Sequence, residues 1–373
     1  MQELFIDKPT YKSYTSNNYN YFFRRSDGIY LEWGATKDDD PKSAPFPNIA
    51  DIEVSSAIDE KTVQKYKNNP NYIITNGGCT GIGCSWCYKQ NGLYNNTIHM
   101  SLTGFKKLAD KLPEGLCQIA FGITTIDHHP EIWQIFQECK KRGWAANVTV
   151  NGGNVDDNTI TKLSKHCNAI AVSVNKTNKQ KAYGVIQKLT QQPEQRQINI
   201  HSVLSVETFN DCMSVIEDCR NDIRLEYIGA AVMLMFKSKS SNQLTTITDP
   251  VVFGKLVARS EALEVPLGFD SCSAYNYMAL LQNEPDATVR ARKAQYVTPC
   301  CASRFSAYVD VFMNYHACSF LEGRDEWGTG LNVLETDDFI KDIWNHPQTK
   351  KFRQKNIECS EKMCNPCNYF NKK

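Results

Sequence analysis

The chain has 373 residues, with 42 Lys and Arg against 41 Asp and Glu; its length suits one large domain of about 200–250 residues plus a smaller one. The even charge gives no electrostatic reason to bind nucleic acid, an anionic membrane or a polyanion. No stretch reaches the ~18 apolar residues of a membrane span, and the opening "MQELFIDKPTYKSYTSNN" lacks the layout of a secretory signal, so a cytoplasmic protein is expected.

Residues 1–70 read as a polar and aromatic N-terminal extension. Within it "NYFFRRSDGIYLEWG" predicts a β-hairpin turning at Ser26, Asp27 and Gly28, and "ATKDDDPKSAPFPN" predicts a loop. From Asn71 a short apolar run, a loop and a helix-period segment recur. The six runs are Tyr72–Thr75, Cys117–Gly122, Asn147–Gly152, Ala169–Val174, Ile198–Ser205 and Leu225–Met235. Helices are expected from Ser101, from Pro130, near Asp156, near Lys179, near Glu207, and over "DPVVFGKLVARSEAL". Six such units in alternation predict an α/β fold, a partial or full barrel of parallel strands over residues 71–264 with helices outside it. Beyond Glu264 the pattern changes to short strands, one helix and cysteines, so residues 265–373 read as a small cysteine-rich domain.

Fifteen cysteines are many for a chain expected in a reducing compartment, where metal binding is a better reading than disulfides. Eight are clustered: Cys79, Cys84 and Cys87; Cys300 and Cys301; Cys359, Cys364 and Cys367. Cys117, Cys139, Cys167, Cys212 and Cys219 are scattered through helix-like and strand-like runs and read as small buried hydrophobes.

The stretch "NGGCTGIGCSWCYKQNG" places three thiols in a glycine-rich loop where a barrel carries its chemistry, at the carboxyl end of the expected first strand. Three thiolates can hold an iron–sulfur cluster by three of its four irons and leave the fourth iron open. Gly81 and Gly83 let the backbone wrap the cluster, and Tyr88 supplies an aromatic wall. Zinc is the other reading, with His99 completing a set of three cysteines and one histidine.

The loop, its place in the alternation and the downstream "QIAFG…HPEIWQIFQECKKRGWAANVTVNGG" resemble the radical S-adenosylmethionine superfamily from about Asn71 to the C-terminus. The resemblance implies a partial (β/α)6 barrel, a 4Fe–4S cluster on Cys79, Cys84 and Cys87, and reductive cleavage of S-adenosylmethionine to a 5′-deoxyadenosyl radical that abstracts a substrate hydrogen. Two departures are visible. The first cysteine gap holds four residues, Thr80 to Gly83, where the family has three. The family's Gly-Gly-Glu segment is here "FGITTID", with Gly122 in place and Asp127 as the nearby carboxylate. By position, Ser173 and Asn175 fall where the family holds the ribose and carboxylate, Lys176 could pair with the carboxylate, and His201 would point into the barrel.

The C-terminal cysteines resemble a twitch or SPASM-type extension. The resemblance implies an auxiliary 4Fe–4S cluster on Cys300, Cys318, Cys364 and Cys367, while Cys301, Cys359 and Cys272 stay open as substitutes, and Asp270 and Arg304 as polar neighbours. A peptide or protein substrate is expected, with a small molecule as the alternative because residues 1–70 lack the winged helical layout of a leader-peptide reader. A flavodoxin or ferredoxin is the implied electron donor. A different class, a non-enzymatic zinc-stabilised binding protein, would use both cysteine sets structurally.

Overall fold

The fold is taken from a computed structural model that describes residues 3–77, 87, 89, 93–153, 155–194, 197–237 and 244–362. The chain opens with four strands, β1 (Leu4–Asp7), β2 (Tyr11–Thr15), β3 (Asn20–Arg24) and β4 (Tyr30–Trp33), paired antiparallel in sequence order. β3 and β4 are the expected hairpin, and Gly28 supplies a φ of +75° in its turn. Side chains alternate across this sheet: Tyr21 and Phe23 are fully buried, and Phe22 between them is not. The buried aromatic face packs with Phe46 against Cys117 and Ala145, where two barrel strands begin. Lys12, buried in the same interface, donates to the carbonyls of Glu114 at 3.1 Å and Leu116 at 2.9 Å. The N-terminal sheet therefore floors the barrel at the amino ends of its strands.

Next come β5 (Ile49–Glu53), β6 (Ser55–Ile58), α1 (Glu60–Tyr66), β7 (Tyr72–Asn76) and β8 (Asn96–Met100). Here the structure departs from the sequence expectation. The barrel's first strand is β5, which pairs parallel with β9 (Gln118–Gly122), Ile52 beside Phe121. Tyr72–Asn76 instead flanks β8 in a three-stranded antiparallel sheet, ordered β6-β8-β7, and the cysteine loop joins β7 to β8. β5 escapes a periodicity reading because Asp51 and Glu53 interrupt its apolar run. A division at residue 70 thus cuts across the architecture, since β5 lies before it and inside the main sheet.

The remaining units follow in the expected places. They are α2 (Leu102–Ala109), α3 (Ile132–Lys141), β10 (Ala145–Asn151), α4 (Asp157–His166), β11 (Ala169–Ser173), α5 (Lys179–Thr190), β12 (Gln197–Leu204), α6 (Phe209–Asn221), β13 (Ala230–Met235) and α7 (Pro250–Leu263). Ser101, Asp156 and Asp249 cap α2, α4 and α7, each accepting a backbone N–H of the first turn, and Pro250 opens α7. α3 buries Ile132, Ile135, Phe136 and Cys139, the spacing of one helical face. Cys117, Cys139, Cys167 and Cys212 are all buried among apolar neighbours, as expected of small hydrophobes.

β14 (Leu267–Phe269) lies beyond Glu264 yet extends the parallel sheet past β13. After α8 (Ala274–Leu281) and α9 (Ala287–Ala294), β15 (Ser306–Val309) pairs parallel with β5 on the other side. β16 (Asn314–His316) and β17 (Leu331–Asn332) then add antiparallel. The sheet order is β14-β13-β12-β11-β10-β9-β5-β15-β16-β17, an open barrel with the C-terminal segment on both edges. α10 (Pro347–Glu361) is tied to the segment before β15 by Arg353, which donates to the Ser303 carbonyl at 2.6 Å.

Gly104, inside α2, lets that helix lie on the Asn71 backbone: a Cβ there would stand 2.5 Å from the Asn71 carbonyl oxygen and 2.6 Å from Met313 Cε. Gly104→Ala should therefore destabilise the protein by roughly 1–3 kcal/mol despite alanine's better helix propensity, read as a lower urea midpoint.

Candidate active site

The parallel strands β5 and β9 to β13 turn one largely apolar face outward to the helices. Ile52, Phe121, Val148, Ile170, Ile200 and Met233 are all buried there. The concave face carries Asp51, Asn147, Thr149, Ser173, Asn199 and His201 at the alternate positions. A closed barrel fills this space with branched apolar side chains. Here β5, β9, β10 and β11 contribute small or polar residues and β12 and β13 add the half-buried Val203, Val232 and Leu234, so the space is an accessible concavity with an apolar strip along one side.

Asp51 is exposed by area yet ringed by protein, as a side chain projecting into an open concavity must be, and burial pushes its carboxyl up to about 6. Across the concavity His201 Nδ1 lies 3.2 Å from the Thr149 hydroxyl. Burial pulls this imidazole down to about 4, against the opposing influence of Asp270, so His201 is neutral at pH 7.

At the carboxyl ends of the strands, Cys79, Cys84 and Tyr88 lie outside the described residues. Cys87 is a half-buried free thiol. Two residues on, Lys89 pairs with Glu53 at 3.0 Å and with Glu322, and donates to the Tyr308 hydroxyl at 3.2 Å. Burial raises the Glu53 carboxyl above the usual range even though Lys89 opposes the shift. One ammonium thus joins the cysteine loop, the end of β5 and the C-terminal extension. Nothing in the spacing of the motif marks Lys89, because both carboxylates are distant in sequence.

His99, the candidate fourth zinc ligand, sits on the central strand of the small sheet. Its Nε2 meets the Thr75 hydroxyl at 2.9 Å, and its ring stands edge-on to His129 at 4.9 Å between centroids. Burial lowers His99 to about 4 and His129 to about 3. Among the described residues, no three His, Cys, Asp or Glu side chains converge closely enough for a single metal ion.

The residues expected to contact S-adenosylmethionine separate into two groups. Gly122 and Ser173 end β9 and β11 at the rim, and His201 faces the concavity. A Cβ on Gly122 would come within 3.3 Å of Glu53 Cα, so glycine lets the ends of β5 and β9 approach. Asn175, by contrast, closes the turn into α5: its side-chain oxygen accepts the Thr177 hydroxyl at 2.6 Å and amide at 2.9 Å. Lys176 is exposed. The Asp127 carboxylate accepts the Thr159 hydroxyl of α4. Beside Gly122 the sequence reading missed Ser55 and Thr124, whose hydroxyls lie 2.6 Å apart; it also missed Asn178, which donates to the Ser173 carbonyl at 2.9 Å.

Of the C-terminal thiols, Cys364 and Cys367 lie outside the described residues. Cys272, Cys300 and Cys318 are half-buried and close enough to perturb one another. Burial and then Cys300 push Cys318 up to about 11, and burial raises Cys272 well above the thiol range. Cys301 faces the other way, into the aromatic cluster of the N-terminal sheet, and Cys359 lies in the last turns of α10. A cubane cluster binds its thiolates through different irons and spaces them more widely than one ion does. The neighbouring thiols Cys272, Cys300 and Cys318 are a donor set that a cluster could use. Beside them Lys237, buried, pairs with Asp270 at 2.5 Å and lies 4.9 Å from the Phe320 ring centre. Arg304 donates to the Lys42 carbonyl at 2.7 Å and stacks on Phe305.

No protein-family profile and no curated protein matches the chain. Solved structures do. Streptococcus suis SuiB bound to precursor peptide SuiA aligns over 94% of this chain and 90% of its own, at 9% identity and a TM-score of 0.63. SuiB bound to S-adenosylmethionine aligns over 94% and 89%, at 11% identity and 0.61. Native anSMEcpe with bound AdoMet and Cp18Cys peptide aligns over 87% of each chain, at 12% identity and 0.56. At these identities the likeness establishes the fold, and that fold is the partial barrel with a C-terminal extension that the sequence led one to expect. Among the described residues no helix is long and apolar enough to cross a membrane.

Two outcomes follow from this geometry. Lys89→Met strands two carboxylates in a site where the lysine is 10% exposed, and should cost ~3–5 kcal/mol in chemical denaturation, part of it recovered by adding Glu53→Gln. His99 and His129 are held neutral, whereas the unfolded chain protonates both below about 6.5. The unfolded state therefore gains protons first, and stability should fall as pH drops from 7 to 5; His99→Gln should flatten that slope in melting temperature.

Proposed function

We propose that the chain is a radical S-adenosylmethionine enzyme that abstracts hydrogen from a peptide or protein substrate held in the concavity. The observation that carries this reading is the open interior of β5 and β9 to β13, polar over most of its width, with Lys89 of the three-cysteine segment anchored at its carboxyl rim. The bound S-adenosylmethionine and peptides named for the structural neighbours agree with it.

In this reading Cys79, Cys84 and Cys87 would hold a 4Fe–4S cluster, Gly122, Ser173 and His201 would be the described residues in reach of S-adenosylmethionine, and Tyr88 is a further candidate for that contact. Cys300 and Cys318, with Cys364 and Cys367, hold an auxiliary cluster, and Cys272 is a further candidate ligand. Bound there, cluster and S-adenosylmethionine together supply a 5′-deoxyadenosyl radical, given an electron from a flavodoxin or ferredoxin.

The chain's own residues set the stage for that chemistry. Lys89 fixes the outgoing end of the cysteine loop against the end of β5. His201, neutral and oriented by Thr149, offers a hydrogen bond without adding charge to a site that receives a sulfonium. Asp51, at about 6, can take or release a proton near neutral pH on the floor side of the substrate. The outward apolar face holds the wall together, and the N-terminal sheet closes the amino end, so substrate enters from the rim or the open side. A small-molecule substrate would use the same concavity.

Anaerobic reconstitution tests the proposal. The expected product is a brown protein with about eight irons per chain, as two cubane clusters contain. Cys84→Ala should abolish 5′-deoxyadenosine formation, while Cys318→Ala should lose auxiliary iron and keep part of the cleavage. A colourless protein with stoichiometric zinc, or undiminished 5′-deoxyadenosine from Cys84→Ala, would overturn it.

A further inference from the structure

The parallel sheet ends abruptly at β14, and the ladder there determines which backbone groups are left over. The Ala231 amide donates to the Pro266 carbonyl at 2.9 Å, and the Asp270 amide to the Met233 carbonyl at 3.3 Å. In a parallel ladder this phase bonds Gly268 to β13 and turns the amides and carbonyls of Leu267 and Phe269 the other way. Among the described residues no strand pairs with that side of β14. Such a row of donors and acceptors, spaced for a strand, is matched by another extended backbone.

Beside the edge runs a groove of about 410 Å³, walled by α7, α8 and the segment leading to Cys300. Tyr277, whose ring lies 6.2 Å from that of Phe269, forms one side. Tyr296, 83% exposed, and Val297 form the other. A tyrosine left so open beside a sheet edge can cover side chains at low entropic cost. The groove reaches as far as Asp270. The residue after β14 is Asp270, whose carboxylate accepts from Lys237 and from the Met235 amide at the rim of the concavity.

We propose that the free edge of β14 binds the substrate peptide as an added strand, with alternate side chains in the Tyr277–Tyr296 groove and the adjoining residues led over the rim into the concavity. This rests on the reading of the protein as a peptide-modifying enzyme and adds where and how the peptide is held. Backbone pairing gives affinity with little demand on sequence, and the groove selects at every second residue.

The test uses the anaerobically purified holoenzyme and, as probe, short peptides enriched on it from a random-sequence display library. Each enriched peptide is resynthesised with single N-methyl groups along its backbone. Binding by fluorescence anisotropy should be lost at alternate N-methyl positions, the period of a paired strand. Leu267→Pro, which removes an outward amide and leaves the Gly268 bonds intact, should weaken binding about tenfold, as loss of a backbone hydrogen bond in a partly dry site does. Leu267→Ala keeps the amide and should bind within about threefold of the parent, which separates backbone pairing from side-chain loss. Retained iron content and melting temperature in both variants exclude misfolding. Equal affinity of Leu267→Pro and parent, or N-methyl sensitivity without a two-residue period, would overturn edge pairing and leave the peptide reading standing. If no peptide enriches and none stimulates 5′-deoxyadenosine formation, the peptide reading falls along with it.

Discussion

The site depends first on how the sheet divides its side chains. In β5 and β9 to β13 the outward positions are taken by residues such as Ile52, Phe121, Val148 and Ile200, and the helices cover them. That apolar layer supplies most of the burial that holds the wall together, which frees most concave positions from packing duty, Val203, Val232 and Leu234 forming an apolar strip on β12 and β13. Asp51, Asn147, Thr149, Asn199 and His201 can then be chosen for contact with a guest. Were the core on the inside, as in a closed eight-stranded barrel, the same strands would have no room for a substrate. The N-terminal sheet adds the remaining condition by sealing the end where the strands begin.

Against this wall the cysteine loop is an appendage, joined through the small β6-β8-β7 sheet. Lys89 makes the connection to the wall itself. A buried cation between two carboxylates contributes little net stability, because desolvating three charges offsets most of their attraction. Its value is positional: Glu53, Glu322 and Tyr308 come from segments far apart in sequence, and only one arrangement satisfies all of them with one ammonium. The loop that follows β7 is thereby registered against the end of β5, and the C-terminal extension against both.

Much of the outer layer was legible in the sequence because it obeys local rules. Helix starts at Ser101, Asp156 and Asp249 follow from side chains that can cap, and the single-faced burial of α3 follows from its spacing. The concave layer was harder to read for the reason that makes it useful. Asp51 and Glu53 break the apolar run of β5, so periodicity points past the barrel's first strand to the segment from Tyr72 that forms β7. The cysteines show a similar limit. Cys300 and Cys301 are equivalent on paper, but adjacent residues of an extended chain face opposite ways, and only Cys300 turns toward Cys318 and Cys272. Asn175 looked like a cofactor contact because it follows a strand; the same position is where a turn needs an acceptor, and there the turn uses it.

The two edges of the main sheet never meet. β15 to β17 carry it outward from β5, β14 ends it on the far side, and among the described residues no ladder of hydrogen bonds runs from one to the other. A closed barrel has its bore fixed by strand number and stagger, and can widen only by breaking pairs. This sheet has no such ring. Its concavity can open or tighten through small changes of twist shared among many strands, each keeping its partners. The wall is therefore a spring with a soft bending mode, and guests of different bulk can be accepted at the cost of curvature, with the ladder intact.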